Sequence, residues 1–259
     1  MGIVNVTPDS FFAAARTEAL DQAISRGRQL FDMGCDVVDV GGESTRPGAL
    51  DVAIDEELAR VIPVLTALAP FGPVSIDTRK PDVARAAVDA GASVVNDVSG
   101  TLIDLAGYLG VGYVAMHSQG TPQTMQVDPH YDDVVAEVLA ALEAMAVHAR
   151  TTGITQLWLD PGIGFGKNRE HNLALVAHSG DFVNLARRYD AGVLIGTSRK
   201  RFLGALGPEL LDVDDRLEAS IATEAWALMS GVAMIRVHDA AAALQLRDLI
   251  SRPLAEVGA

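Results

Sequence analysis

Eight times along this chain a short apolar run ends abruptly on polar residues. The stretches between the runs are rich in alanine and leucine, with charges at helical spacing. The junctions are GIVNV before Thr7-Pro8-Asp9, DVVDV before Gly41-Gly42-Glu43-Ser44-Thr45-Arg46-Pro47-Gly48, PVSI before Asp77-Thr78 and SVV before Asn96-Asp97. They continue with YVAM before His117, LWL before Asp160-Pro161-Gly162, VLI before Gly196-Thr197-Ser198-Arg199-Lys200, and MI before Arg236-Val237-His238. Runs that are Val- and Ile-rich at both parities suit strands buried on two faces, as in a parallel sheet covered by helices. Strict alternation through 259 residues predicts one α/β domain over residues 1–259, a (β/α)8 TIM barrel. In that fold every strand's carboxyl end faces one mouth, so residues far apart in sequence share a pocket.

The predicted strands lie near Ile3–Val6, Val37–Val40, Val74–Asp77, Val94–Asn96, Tyr113–His117, Leu157–Asp160, Val193–Gly196 and Met234–Val237. Helices are expected over Thr17–Met33, Ile54–Ala69, Pro81–Ala90, Asp132–Thr152, Asn168–Ala177 with Phe182–Tyr189, Leu217–Ser230 and Asp239–Ile250. Pro81 suits a first helical turn. Gly34, Gly91, Gly153 and Gly231 each follow a helical stretch, where a left-handed cap favours glycine. The fourth unit is the weakest, with only Thr101–Leu109 between Asp97 and the next strand. An open doubly wound sheet is the main competitor. It usually carries a glycine-rich phosphate turn after its first strand, and Asn5-Val6-Thr7-Pro8-Asp9-Ser10 has no such pattern.

A net charge of −14 argues against sequence-independent nucleic-acid binding, which needs a basic face. It leaves room for a small anionic ligand held by a local cationic cluster. The single cysteine, Cys35, permits no internal disulfide and reads as a buried, inert thiol. No apolar run reaches the roughly 18 residues of a membrane span. No basic-then-apolar leader precedes Gly2, so a cytoplasmic protein is expected. The first strand begins almost at Met1, which leaves either an open barrel floor or a chain that starts short.

Four polar residues end apolar strands or directly follow them: Asp77, Asn96, Asp160 and Lys200. Such groups are costly to bury unless paired. The plainer reading is a structural network, for instance Lys200 against Asp160. Converging at one rim, they offer acceptors, an amide and a cation, which suits the edge of a flat, hydrogen-bonding heterocycle. Met116 and Phe165 are candidates to cover its faces, although each also reads as ordinary core. Arg236 and His238, two apart on the last strand, leave it on the same side. A guanidinium fork beside an imidazole suits phosphate or diphosphate, a frequent ligand at that end of a barrel. Asn5 offers an oxygen to a Mg²⁺ ion that a diphosphate would bring; equally it is a turn residue.

The run Asp160-Pro161-Gly162-Ile163-Gly164-Phe165-Gly166-Lys167 lacks Walker spacing. Its glycines are expected to let the backbone approach a ligand closely. Gly41–Gly48 reads as a mobile lid that completes a site once substrate is bound. His117, His130, His148, His171 and His178 show no metal-ligand spacing, and Trp158 and Trp226 read as core.

Taken together these motifs resemble the dihydropteroate synthase family, nearly end to end. They stand as Asn5-Val6-Thr7-Pro8-Asp9-Ser10, Asp39 to Gly48, Ser75-Ile76-Asp77-Thr78, Asn96-Asp97-Val98-Ser99-Gly100, Met116-His117, Leu159 to Lys167, Thr197-Ser198-Arg199-Lys200 and Arg236-Val237-His238. The resemblance implies a (β/α)8 homodimer that condenses 6-hydroxymethyl-7,8-dihydropterin diphosphate with para-aminobenzoate, and a target of sulfonamides. It implies a pterin site at Asp77, Asn96, Met116, Asp160, Phe165, Gly196 and Lys200. It implies a diphosphate and Mg²⁺ site at Asn5, Arg236 and His238, with Asn5 as metal donor. Thr45, Arg46, Pro47 and Arg201 are expected at the aminobenzoate. Asp77, Asp160, Lys200, Arg236 and His238 would carry catalysis.

One stretch departs from the family pattern. Where relatives carry Ser-Asp-Gly-Gly after Pro-Asp-Ser-Phe, this chain has Phe12-Ala13-Ala14-Ala15. That loop separates an active synthase, the favoured reading, from a non-catalytic pterin-binding paralogue. A methyltetrahydrofolate-binding methyltransferase barrel is a third reading. Lys200, Arg236-Val237-His238 and the Thr45-Arg46-Pro47-Gly48 loop speak against it, because a methyl donor has no diphosphate to expel.

Overall fold

The computed structural model describes residues 1–6, 13–44, 49–121 and 123–251. Eight parallel strands run in sequence order: β1 Gly2–Asn5, β2 Val38–Gly41, β3 Val74–Asp77, β4 Val94–Asp97, β5 Gly112–Met116, β6 Leu157–Asp160, β7 Gly192–Ile195 and β8 Met234–Ile235. Between and after them lie α1 Ala13–Met33, α2 Ile54–Leu68, α3 Pro81–Asp89, α4 Ile103–Leu109, α5 Val134–Thr151, α6 Arg169–Ala177, α7 Ser179–Arg188, α8 Arg201–Gly204, α9 Leu217–Met229 and α10 Ala240–Ile250.

The ladders join each strand to the next, β1 through β8, in one curled sheet. The first and last strands meet at a single bridge, Gly2 with Val237. Ile3 N–H donates to Val237 O at 3.1 Å and Val237 N–H to Met1 O at 3.0 Å. The last strand, expected over Met234–Val237, is two residues long, Met234–Ile235.

Alternation along the strands sorts residues between two cores. Outward residues such as Val38, Val40, Val74, Ile76, Val95, Leu159 and Ile195 pack under the helices in the main core. Inward residues Met1, Val37, Val94, Val114 and Leu194, with Trp158 and Met234 against them, form a smaller interior cluster. This interior plug explains the apolar character at both parities. The next inward positions up the strands include Asp39 and Ser75, and above them stands the polar rim.

Several sequence expectations shift for local reasons. α1 begins at Ala13 rather than Thr17, since three successive alanines are the strongest helix formers. The fourth unit does form a helix, only seven residues long. Pro81 opens α3, and Gly91 follows it at φ 105°. Trp226 is not core: it is 55% exposed on α9, with Met229 one turn further along the helix and also exposed. Cys35 is half-buried, and burial pushes its thiol up from the ordinary range. Among the described residues no helix is long and apolar enough to cross a membrane.

Candidate active site

Strand register sets the rim. Asn5 pairs with Gly41, Gly41 with Asp77, and Asp77 with Asn96, so residues from four strands stand side by side. Met116 pairs likewise with Asp160. Inside the rim lies a cavity enclosing about 420 Å³ of space, part of it open to solvent. Asp77, Asn96, Asp160 and Lys200 all line it, together with Arg236 and His238. Met116, Phe165 and Gly196 also line it, with Ile3, Val98 and Ser198. Asn5 and Arg201 are exposed and stand outside that lining. Thr45, Arg46 and Pro47 lie outside the described residues, as do Phe11 and Phe12. The flanks of the 45–48 segment are tied together, since Arg79 Nη2 bonds Glu43 at 2.8 Å and Asp51 at 2.7 Å.

Alternation also separates neighbours. Asn96 points into the cavity, whereas Asp97 points out and takes Tyr113 Oη and Leu102 N–H, each at 2.8 Å. Asp97 is therefore a structural acid, and Asn96 the one placed for a ligand.

The expected pairing of Lys200 with Asp160 is not what forms. Lys200 Nζ donates to Ile163 O and lies 4.6 Å from the centroid of the Phe165 ring. Asp160 Oδ1 instead accepts Gly162 N–H at 2.7 Å. The two charges still feel each other. Burial lowers the Lys200 amine to about 8 although Asp160 pulls it upward, and burial raises the Asp160 carboxyl against the pull of Lys200. Arg236 is likewise engaged, Nε to Asp39 Oδ2 at 2.6 Å and Nη2 to Asp77 Oδ2 at 2.7 Å. Burial pushes Asp77 up to about 7, offset in part by that guanidinium. His238 Nδ1 lies 3.2 Å from Ser198 Oγ, and the His238 backbone N–H donates to the same oxygen at 3.1 Å.

Two glycines of the glycine-rich loop let it approach protein backbone closely. A Cβ on Gly162 would lie 1.8 Å from His117 O, and one on Gly166 would lie 2.3 Å from Gln119 O. Both positions have positive φ, 67° and 63°, so they let this loop press against the β5–α5 connection. Lys167 fastens the same junction. It is 2% exposed, with Nζ 2.9 Å from Phe165 O and 3.0 Å from His117 Nδ1. Burial lowers its amine to about 7, and burial with the nearby Lys167 charge lowers His117 to about 4.

Three participants were not singled out from sequence: Asp39, Lys167 and Ser198. Asp39 left a signal, an acid embedded within the apolar run DVVDV, but it does not end its strand. Lys167 was passed over in a loop judged for nucleotide binding and for the close approach of its glycines to a ligand. Ser198 has no sequence signal beyond its neighbour Lys200.

The profile described as pterin binding enzyme matches residues 1–238. The dihydropteroate synthase of Escherichia coli strain K12 is 41% identical over 249 residues, covering 92% of this chain and 86% of that one. Among solved structures, the Yersinia pestis dihydropteroate synthase with a sulfonamide drug superposes with a TM-score of 0.87 at 36% identity. It covers 96% of this chain and 92% of its own. The Burkholderia cenocepacia dihydropteroate synthase complexed with 7,8-dihydropteroate gives a TM-score of 0.83 at 40% identity, covering 96% and 89%. With an end-to-end match in sequence and fold and a polar cavity at the strand ends, this chain belongs to the pterin binding enzyme family.

Proposed function

We propose that the chain is a dihydropteroate synthase, a transferase of folate biosynthesis. It would condense 6-hydroxymethyl-7,8-dihydropterin diphosphate with para-aminobenzoate to give 7,8-dihydropteroate and diphosphate. The observation that carries this is one cavity lined by Asp77, Asn96, Asp160 and Lys200 with Arg236 and His238 beside them, in a chain 41% identical to a dihydropteroate synthase.

The pterin edge would meet Asp160, Asn96 and Asp77 as acceptors and Lys200 as donor, with Met116, Phe165 and Gly196 against its faces. As the C–O bond to diphosphate breaks, the electron pair leaves with the diphosphate. Arg236 and His238 are placed to stabilise that charge. Arg236 has five N–H donors and spends two on Asp39 and Asp77, so it can serve an anion without leaving its partners. Positive charge spreads into the pterin, where Asp77 and Asp160 oppose it. The aniline nitrogen bonds to the exocyclic carbon and then loses a proton. Arg201, exposed at the start of α8 next to Lys200, is the described residue we assign to the aminobenzoate, with Thr45, Arg46 and Pro47.

Among the described residues no cluster of three His, Cys, Asp or Glu side chains is built to hold a metal. A Mg²⁺ ion is therefore proposed to arrive with the diphosphate, with Asn5 as its protein donor. Asn5 Oδ1 lies beside Gly41, on the Asp77 side of the rim, which suits that part. Bound there, the ion would neutralise charge on the leaving group.

We read the sheet as a closed (β/α)8 barrel, supported by the Gly2–Val237 bridge. Exposed apolar side chains on α9, Trp226 and Met229, support a homodimer. The lone thiol of Cys35 fits a reducing compartment, the cytoplasm.

The deciding assay is diphosphate release with and without para-aminobenzoate. An active synthase forms 7,8-dihydropteroate in step with diphosphate. Tight pterin binding with no product would instead mark a non-catalytic paralogue.

A further inference from the structure

Asp39 sits one layer below the rim on β2, turned into the interior and fully buried. Its Oδ2 takes two donors, Asn96 Nδ2 at 3.0 Å and Arg236 Nε at 2.6 Å. Its Oδ1 has no hydrogen-bond partner among the described residues, nor do its neighbours Ser75 Oγ and Asp77 Oδ1. A carboxylate flanked by an arginine accepts and does not donate. Asn96 must therefore hold its nitrogen toward Asp39. No described group donates to Asn96 Oδ1, so the atom left for the cavity is a carbonyl oxygen. The two ends of a side-chain amide are nearly the same size, and hydrogen bonding alone decides which way it faces.

We propose that Asp39 is a positioning residue that sets the hydrogen-bond polarity of the cavity. It locks the Asn96 amide with its oxygen toward the ligand and aligns Arg236 along the wall. The site then selects a heterocycle edge that presents an N–H at Asn96. This rests on reading the cavity as a pterin site. Without a carboxylate at position 39 the amide is free to turn its NH2 toward that edge, donor against donor. Asp77 still holds Arg236 through Nη2, so the arginine loosens without being released.

The test is calorimetric titration of 6-hydroxymethylpterin into wild type and three variants, each with its thermal unfolding recorded. Asp39→Leu should bind about tenfold to hundredfold more weakly, the cost of an unsatisfied or mismatched buried polar group. Asp39→Asn keeps an oxygen that accepts from both Asn96 and Arg236, and should stay within about threefold of wild type. Asn96→Asp has no amide to turn, so the double variant Asp39→Leu/Asn96→Asp should recover most of the loss. A purely structural role for Asp39 predicts no such recovery. If wild type does not bind the pterin, the pterin reading fails and this inference with it. If wild type binds and Asp39→Leu binds equally, or the double variant recovers nothing, the inference alone is overturned. Should Asp39→Leu not fold, Asp39→Asn decides: a loss above about tenfold would mean that charge, not acceptor placement, is what position 39 supplies.

Discussion

Glutamine in place of Glu224 should stabilise this protein at neutral pH and leave it unchanged in acid. Glu224 lies on α9, is 1% exposed, and neither carboxyl oxygen has a hydrogen-bond partner among the described residues. Burial, with the nearby charge of Asp239 adding to it, pushes the carboxyl up to about 8 from an ordinary 4.5. Between those values the folded protein keeps a proton that the unfolded chain has released. Stability therefore falls as pH rises from about 4.5 to about 8, and is level outside that window. At pH 7 the gap is about 2.5 pKa units, and at about 1.4 kcal/mol per unit the penalty reaches at most about 3 kcal/mol. Glutamine keeps the shape and cannot ionise. Urea unfolding of wild type and Glu224→Gln should coincide near pH 4 and diverge steadily to about 3 kcal/mol at pH 7, or about 5–10 °C in Tm. Other titrating groups are common to both proteins and drop out of the difference. A difference that is constant with pH, or absent, would refute the reasoning.

Asp160→Ala should cost about tenfold to a hundredfold in pterin affinity, since it removes a buried charged acceptor of the kind worth about 1.5–3 kcal/mol per hydrogen bond; unchanged affinity would remove Asp160 from the site. Arg236→Ala should weaken the diphosphate substrate far more than the pterin alone, and equal losses would show that Arg236 is no anion contact. Lys167→Met removes the ammonium that holds Phe165 O, and one such bond, worth about 1 kcal/mol, corresponds to about fivefold in pterin affinity. Full affinity in that variant would mean that the loop holds its shape without Lys167. If the proposed dimer forms through α9, Trp226→Glu should lower the sedimentation coefficient while pterin binding persists; an unchanged coefficient would remove Trp226 from any such interface.

The strands and their polar ends were legible because a parallel sheet buried on both faces leaves few alternatives to Val and Ile. A polar residue closing such a run is conspicuous for the same reason. Asp77 and Asp160 were found that way and fall at strand ends as expected. Asp39 escaped because it sits inside its run, where sequence cannot tell a ligand-facing acid from one serving a neighbour. Trp226 was misjudged because an aromatic residue on an apolar helix looks the same whether it faces the sheet or a surface.

Order along the chain, the alternation of strand with helix, and the chemical types gathered at one mouth were determined by sequence alone. They depend on local periodicity and on the cost of burying polar atoms. Partnership was decided only in three dimensions. Lys200 meets Ile163 rather than Asp160, Arg236 is held by Asp39 and Asp77, and Asn96 turns its nitrogen inward. These are choices among near-equal hydrogen bonds, settled by a few ångströms of strand register that no linear spacing encodes.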